Sequence, residues 1–314
     1  MGTLNIVLGA IDNGLIWGFL ALGVYITFRI LKISDLTVDG SFATGGAVCA
    51  MLVASKGQGP LVAILCAIIA GGLAGAITGL LHTKLQIPAI LAGILTQLSL
   101  YSINLRIMDG RANVALASYK DSLLFKPIAD ALGITKYYST LMIAGAITIA
   151  VIALLYCFFK TELGSAINAT GDSEQMARSL GIDTDIMKII GLIIANALVG
   201  LSGALYTLYG AAADVRMGTG AIVIALASIV IGEVIVRVKK GGLGIRLASA
   251  VIGSIIYRII VSIVLQLGFN TDDLKLLTAV LVAVALATPI LLAKRNQKAS
   301  YKKLTAELDA KEDQ

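Results

Sequence analysis

Charge is scarce in this sequence. Acidic and basic residues make up only 14% of its 314 residues, 58% are hydrophobic, and the mean hydropathy is +0.91. Ordinary soluble domains carry about 25% charged residues, so an aqueous globular domain is excluded. Histidine is nearly absent: His82 stands alone beside Lys84 at the end of an apolar stretch and reads as an interfacial residue. The three cysteines, Cys49, Cys66 and Cys157, show no metal-ligand spacing and read as small buried hydrophobes. Catalytic signatures are missing too. There is no H-E-x-x-H, no G-x-S-x-G and no pair of intramembrane aspartates of protease type. A G-x-x-x-x-G-K-S/T loop is also absent, which excludes ATP hydrolysis by that route. The glycine-rich K-K-G-G-L-G at 239–244 fails the pattern and reads as a tight turn.

What the chain does have is apolar blocks of about 20 residues bounded by charge, the length a hydrocarbon core of roughly 30 Å requires. They predict an all-α, polytopic transmembrane bundle of about nine spans, at 11–30, 38–55, 61–83, 88–107, 138–159, 187–209, 219–237, 245–267 and 274–293. The second, fourth and seventh are short or hold Gly, Pro or acids, and are expected to be broken or re-entrant helices inside the bundle. Asp12 and Asn13 interrupt the first block and no basic stretch precedes it, so it is expected to be a retained span rather than a cleaved signal.

A cytoplasmic C-terminus, with the N-terminus outside, puts the larger share of the 25 basic residues on the inner side, as the positive-inside rule demands. The chain then divides into a membrane domain, 1–293, and a basic cytoplasmic tail, 294–314. The outer loop at 108–137 fits a short amphipathic helix on the outer surface and equally a docking site for an extracytoplasmic partner.

Inside the spans, Gly71, Gly75 and Gly79 recur every four residues, with Ala67 extending the stripe, which permits close helix packing. Polar groups in lipid cost at least about 2–3 kcal/mol each and should face protein or water. Asp35 is a candidate helix cap at the start of the second span. Asp39, followed by Gly40 and small residues, is a candidate for gate structure or pore polarity. Thr44, Thr96, Gln97, Asn104, Asn196 and Glu233 complete the candidate translocation pathway, and Gln266 lies near the outer end of the eighth span. Any one of them could be a single interhelical hydrogen bond; together they suit a path for a polar or amphipathic solute.

Between the fifth and sixth spans lies a polar island, residues 161–185, on the cytoplasmic side. Thr161 can cap a helix starting at Glu162, Gly171 is expected to stop it, Ser173 can start a second helix and Gly181 end it. The result is a compact two-helix knob, either an amphipathic connector or a docking element.

Three stretches carry a resemblance: L-K-I-S-D-L-T-V-D-G-S-F-A-T-G-G-A at 31–47, the island through A-R-S-L-G-I-D, and G-A-I-V-I-A-L-A-S-I-V-I-G-E at 220–233 with the following K-K-G-G-L-G. Through them the chain resembles the membrane permeases of ABC importers in the branched-chain amino acid permease superfamily. Within it the tryptophan/tyrosine-type permeases of Gram-positive bacteria look closest. The resemblance covers residues 8–292 and implies a type II importer permease in a bacterial cell membrane.

It further implies a non-catalytic subunit that pairs with a second permease, here a homodimer. Two cytoplasmic ATPase subunits would use ATP and Mg2+, an extracytoplasmic binding protein would deliver the solute, and this chain would bind no cofactor or metal itself. The coupling element would then be Asn168, Ala169, Thr170, Gly171, Asp172 and Ser173, with Ala177 and Gly181 shaping the next helix. The usual importer E-A-A–glycine form is not present literally. The solute implied is an amino acid, aromatic or branched-chain; a secondary transporter or channel without an ATPase is the alternative.

Overall fold

The computed structural model describes residues 3–116, 136–236 and 242–268, with positions 276, 278–280, 282–284 and 287 beyond them. Helix α1 (Thr3–Tyr25) runs on into a widened π-helical turn, Ile26–Ile30. It is followed by α2 (Thr37–Lys56), α3 (Pro60–Thr83) and α4 (Ala89–Ile107). A short strand β1 (Asn113–Ala115) precedes α5 (Lys136–Phe159), and then come two short helices, α6 (Glu162–Asp172) and α7 (Glu174–Ser179). The long α8 (Thr184–Gly210), strand β2 (Ala212–Asp214), α9 (Ala221–Val236) and α10 (Leu243–Gln266) complete the described elements.

Seven of these helices are long and apolar enough to cross a membrane: α1, α2, α3, α4, α5, α8 and α10. The chain is a multi-pass membrane protein. Of the nine expected spans, the seventh is the shorter apolar helix α9. Its 16 residues reach roughly 24 Å, less than a hydrocarbon core. Of the ninth, 274–293, positions 276, 278–280, 282–284 and 287 are described and are helical; most of the outer loop, 117–135, and the tail, 294–314, lie outside the described residues. Leu61, Leu65, Ile69 and Leu73 on α3 and Ile149 and Leu154 on α5 are exposed.

The bundle is built around α8. On α3, Gly71, Gly75 and Gly79 all face it. A methyl on Gly71 would stand 3.1 Å from the Gly200 Cα, and one on Gly75 would stand 2.9 Å from the Asn196 Cβ and overlap the Leu192 carbonyl. The small stripe read from the sequence therefore brings the two backbones together at Gly71 and Gly75, while Gly79 packs against Ile189. Elsewhere the core is large: Trp17, Phe42 and Tyr206, from α1, α2 and α8, pack with ring centroids 5.0–5.8 Å apart.

The second span, expected to be broken or re-entrant, is one continuous helix that begins inside the bundle, and the break in the chain lies before it. Leu31 N bonds Ile26 O at 2.9 Å and Ile33 N bonds Thr27 O at 2.9 Å, which close the widened turn. Lys32 then turns the chain with a φ of +57°, in the left-handed region. Residues 33–36 run non-helically into the protein, so α2 begins beside Asn196. That residue lies 12 positions into α8, roughly 18 Å from its start. Irregular backbone at such depth is tolerable only inside protein, and Ile33 and Asp35 are buried. The fourth span, expected to be broken, is instead one continuous helix, because Pro88 sits at its N-cap rather than in its interior. At the end opposite α6 and α7, β1 and β2 form a two-stranded antiparallel ribbon with Val114 opposite Ala213. No periodicity in the sequence announced it.

Candidate functional site

Two helices, α2 and α9, start within the bundle, and each start meets an aspartate. Asp35 Oδ1 accepts a hydrogen bond from Thr37 N at 2.9 Å, so it caps α2 as the sequence suggested. Its other oxygen accepts from Asn196 Nδ2 at 2.7 Å, and Asn196 Oδ1 in turn accepts from Ser41 Oγ at 2.7 Å. Asp39 serves the second start: its carboxylate accepts from Gly220 N at 2.8 Å and Ile222 N at 3.0 Å, at the N-terminus of α9. A carboxylate there meets both the unpaired N–H groups and the positive end of the helix dipole. The start of α9 is thereby joined to α2 through one side chain, whose capping target lies 181 residues away.

Asp39 also lines a cavity of about 130 Å³ with Gln97, Tyr101, Asn104, Arg216 and Thr219. Of the candidate pathway residues, Asp39, Gln97 and Asn104 thus converge on one space. Asn104 Oδ1 is buried with no hydrogen-bond partner among the described residues. Arg216 and Tyr101 belong to the same lining; the sequence gave no reason to connect them with Asp39.

The remaining candidates lie elsewhere. Thr96 receives a hydrogen bond from Thr78 at 2.9 Å, and Thr78 meets Thr37 at 2.6 Å, a hydroxyl chain across α2, α3 and α4. Asn196 belongs to the Asp35 cluster. Thr44 bonds back to its own helix at Gly40 O, 2.9 Å. Glu233 is ion-paired with Arg29 at the far end of α9, where both are part-exposed. None of these groups forms a nucleophile–base arrangement, and the described residues hold no cluster able to bind a metal ion. The polar groups that line the Asp39 cavity can donate and accept hydrogen bonds.

The polar island folds as expected into two short helices. Thr161 accepts from Gly164 N at 3.3 Å, Ser173 Oγ from Met176 N at 3.4 Å, and Asp183 caps α8 through Asp185 N at 3.0 Å and Ile186 N at 3.1 Å. Gly181 ends the second helix region with a φ of +83°. One expectation is corrected: Gly171 does not stop α6, which continues to Asp172. Gly171 is required there by contact, since a methyl on it would overlap the Ile30 carbonyl and stand 2.9 Å from the Leu31 Cα. The knob therefore sits directly on the widened turn of α1.

Polar contacts hold the knob together. Arg178 reaches Thr184 Oγ1 at 2.8 Å and Glu174 at 2.8 Å, and Lys188 reaches Glu174 at 2.8 Å. The Lys188 ammonium, hydrogen-bonded to Glu174, holds that carboxyl below the usual carboxylate range. Lys32 and Asp172 pair at 2.9 Å, but both are exposed. Such pairs contribute about 0–1 kcal/mol, so backbone packing at Gly171 seats the knob more firmly than this bridge.

Of the candidate coupling residues, Thr170 and Ala177 are buried and Gly171 and Ala169 half-buried toward the bundle. Asn168, Asp172, Ser173 and Gly181 are exposed. Three large apolar side chains join them on the outside: Leu163, Met176 and Leu180, the last 69% exposed. The sequence reading passed over these three. Their signal was available, as apolar residues with no apolar periodicity around them in an otherwise polar segment.

Comparison with known proteins follows the same lines. Residues 6–288 match the family model described as the permease component of the branched-chain amino acid transport system. A tyrosine transport system permease protein of Clostridioides difficile (strain R20291) is 39% identical over 302 residues, 96% of this chain and 95% of that one. An uncharacterised protein of Rickettsia prowazekii (strain Madrid E) is 31% identical over 287 residues, 91% of this chain and 98% of its own. The ribose import permease protein of Escherichia coli (strain K12) is 27% identical over 231 residues, 73% and 70% of the two chains. No solved structure gives a significant match.

Proposed function

Because the chain belongs to the family of branched-chain amino acid transport system permease components, and so is a permease component of an ABC transporter, we propose that it carries an amino acid across a bacterial cell membrane. An aromatic amino acid such as tyrosine or tryptophan fits best, and a branched-chain one is the next choice. The tyrosine transport relative supports this, while the ribose relative shows that family membership does not fix the solute.

In this reading two copies form the pathway. A separate ATPase pair, holding ATP and Mg2+, docks on the knobs at the cytoplasmic side, and an extracytoplasmic binding protein delivers the solute. The N-terminus lies outside and the C-terminal tail inside. The observation that carries the proposal is the knob itself: an apolar trio, Leu163, Met176 and Leu180, exposed on helices seated at Gly171 against the end of α1. A push on the knob reaches the widened turn, then residues 31–36, then the starts of α2 and α9 that Asp35 and Asp39 hold. Inward- and outward-open arrangements can interconvert by rigid movement of such packed elements.

The test is reconstitution of the permease with its ATPase and binding protein in proteoliposomes. Uptake of radiolabelled L-tyrosine should require all three components and internal ATP, and vanadate should abolish it. Uptake by the permease alone, driven by a sodium or proton gradient, would overturn the importer reading in favour of a secondary transporter.

A further inference from the structure

A second cavity, of about 300 Å³, opens between α1, α8 and α10, and is lined by Asn5, Asn13, Tyr209, Arg258 and Ser262 together with small and apolar residues. It lies at the end of the bundle away from the knob. Asn13 is in the first half of α1, whose last turn carries the knob, and Tyr209 is at the finish of α8, whose start adjoins it.

Two polar atoms of the lining residues are buried with no hydrogen-bond partner among the described residues: Asn13 Oδ1 and Arg258 Nε. The Arg258 guanidinium stacks over the Trp17 ring, 4.0 Å from its centroid. That contact orients the guanidinium but satisfies none of its N–H donors. An arginine within a membrane domain with an unpartnered, buried Nε is costly, and residues of this kind mark ligand sites and pathways.

The inventory of atoms specifies a ligand. Arg258 can only donate, and a guanidinium prefers a carboxylate that it can meet with two parallel bonds. Asn13 Oδ1 can only accept, and an ammonium is the matching donor. Ile6, Val261 and Leu265 supply an apolar wall. The volume lies at the small end of organic-ligand pockets, roughly 300–1,000 Å³.

We propose that this cavity is a binding site for a zwitterionic α-amino acid, with Arg258 taking the carboxylate, Asn13 the ammonium, and the apolar wall the side chain. It is separate from the Asp39 cavity, and it rests on the permease reading only for the choice of an amino acid as solute. An ethanolamine phospholipid headgroup, which also pairs an anion with an ammonium, is the competing source of the same chemistry.

The experiment uses the full permease–ATPase complex in nanodiscs of phosphatidylglycerol alone, without binding protein, titrated with tritiated L-tyrosine and L-leucine. Saturable binding of at least one is expected. Tyramine, which lacks the carboxylate, and N-acetyl-tyrosine, which lacks the ammonium, should each compete about 10- to 100-fold more weakly than L-tyrosine. Arg258→Gln should lose a similar factor and Arg258→Lys less. The analogue comparison needs no variant to fold.

Absence of saturable binding, or analogues that compete as well as L-tyrosine, overturns the site. So does an ethanolamine lipid retained one per chain in native mass spectrometry and lost in Arg258→Gln. ATP-driven amino acid uptake that persists alongside absent binding overturns the site while the permease reading stands. Absence of both uptake and binding overturns the two together.

Discussion

Substituting Gly171 by alanine tests the seat of the knob most directly. The added methyl carbon would stand 2.8 Å from the Ile30 carbonyl carbon and 2.9 Å from the Leu31 Cα, and would overlap the Ile30 oxygen outright. Carbon atoms pack best at about 3.5–4.0 Å, so α6 must withdraw from α1 by roughly 1 Å. Overpacking of this kind costs about 1–3 kcal/mol. Alanine in place of glycine in a helix returns about 1 kcal/mol. The net loss, about 0–2 kcal/mol, is small beside the roughly 5–15 kcal/mol by which domains are stable. The variant should therefore fold and assemble, yet its knob should no longer press on the widened turn.

Coupling between distant sites is typically about 1–3 kcal/mol. Tyrosine uptake in the reconstituted importer should then fall about tenfold while ATP hydrolysis continues, so that fewer molecules enter per ATP. Gly145→Ala is the matched control: it makes the same chemical change within α5, where nothing lies within 4 Å. Unchanged uptake per ATP in Gly171→Ala would refute the transmission route from the knob to α1.

Two further outcomes follow from the geometry. Asp39→Ala removes the cap and the charge at the start of α9, and should cost about 1–2 kcal/mol. The thermal midpoint of the detergent-purified permease should drop by several degrees; an unchanged midpoint would mean the Asp39–Gly220 contact carries no stability. The knob should also respond to acid through Glu174. Its folded pKa is lowered, so the Glu174–Lys188 contribution is complete above the ordinary carboxylate range near about 4.3 and is lost as pH falls through the lower folded value. A spin label at Gln175 should report an unchanged knob from pH 8 to 5 and loosening only in stronger acid, with that transition missing in Glu174→Gln. Loosening between pH 7 and 5 would contradict the assignment.

Much of the scaffold was legible because lipid imposes strict rules on sequence. Apolar blocks, the Gly71–Gly75–Gly79 stripe and the caps at Thr161 and Ser173 are local signals, each read from a few neighbouring residues. The site was less legible because its contacts are long-range. Nothing near Asp39 announces that its carboxylate belongs to Gly220 and Ile222, nor that Gln97, Asn104 and Arg216 share its cavity. Arg258 entered the sequence reading only as a positive charge toward the outer side. The folded chain places it over Trp17 and beside Asn13, from a helix some 240 residues further on, as the Ser254–Gly14 bond of 2.7 Å with its separation of 240 records. Gly171 reads from the sequence as a helix terminator and a coupling residue, and nothing there signals that its lack of a side chain is what lets α6 meet Ile30.

The glycine seam between α3 and α8 also bears on how motion in this molecule can be measured. With carbonyls and Cα atoms in direct contact at Gly71, Gly75 and Gly200, there is no layer of side chains to re-pack, so neither helix can slide or roll without a clash along the seam. The pair behaves as a single plank, and bending is left to the non-helical stretches, residues 31–36 and 216–220. A label pair spanning α3 and α8 would serve as an internal ruler of fixed length through the transport cycle. Distances from that plank to α2 and α9 would then read the moving parts on a common scale.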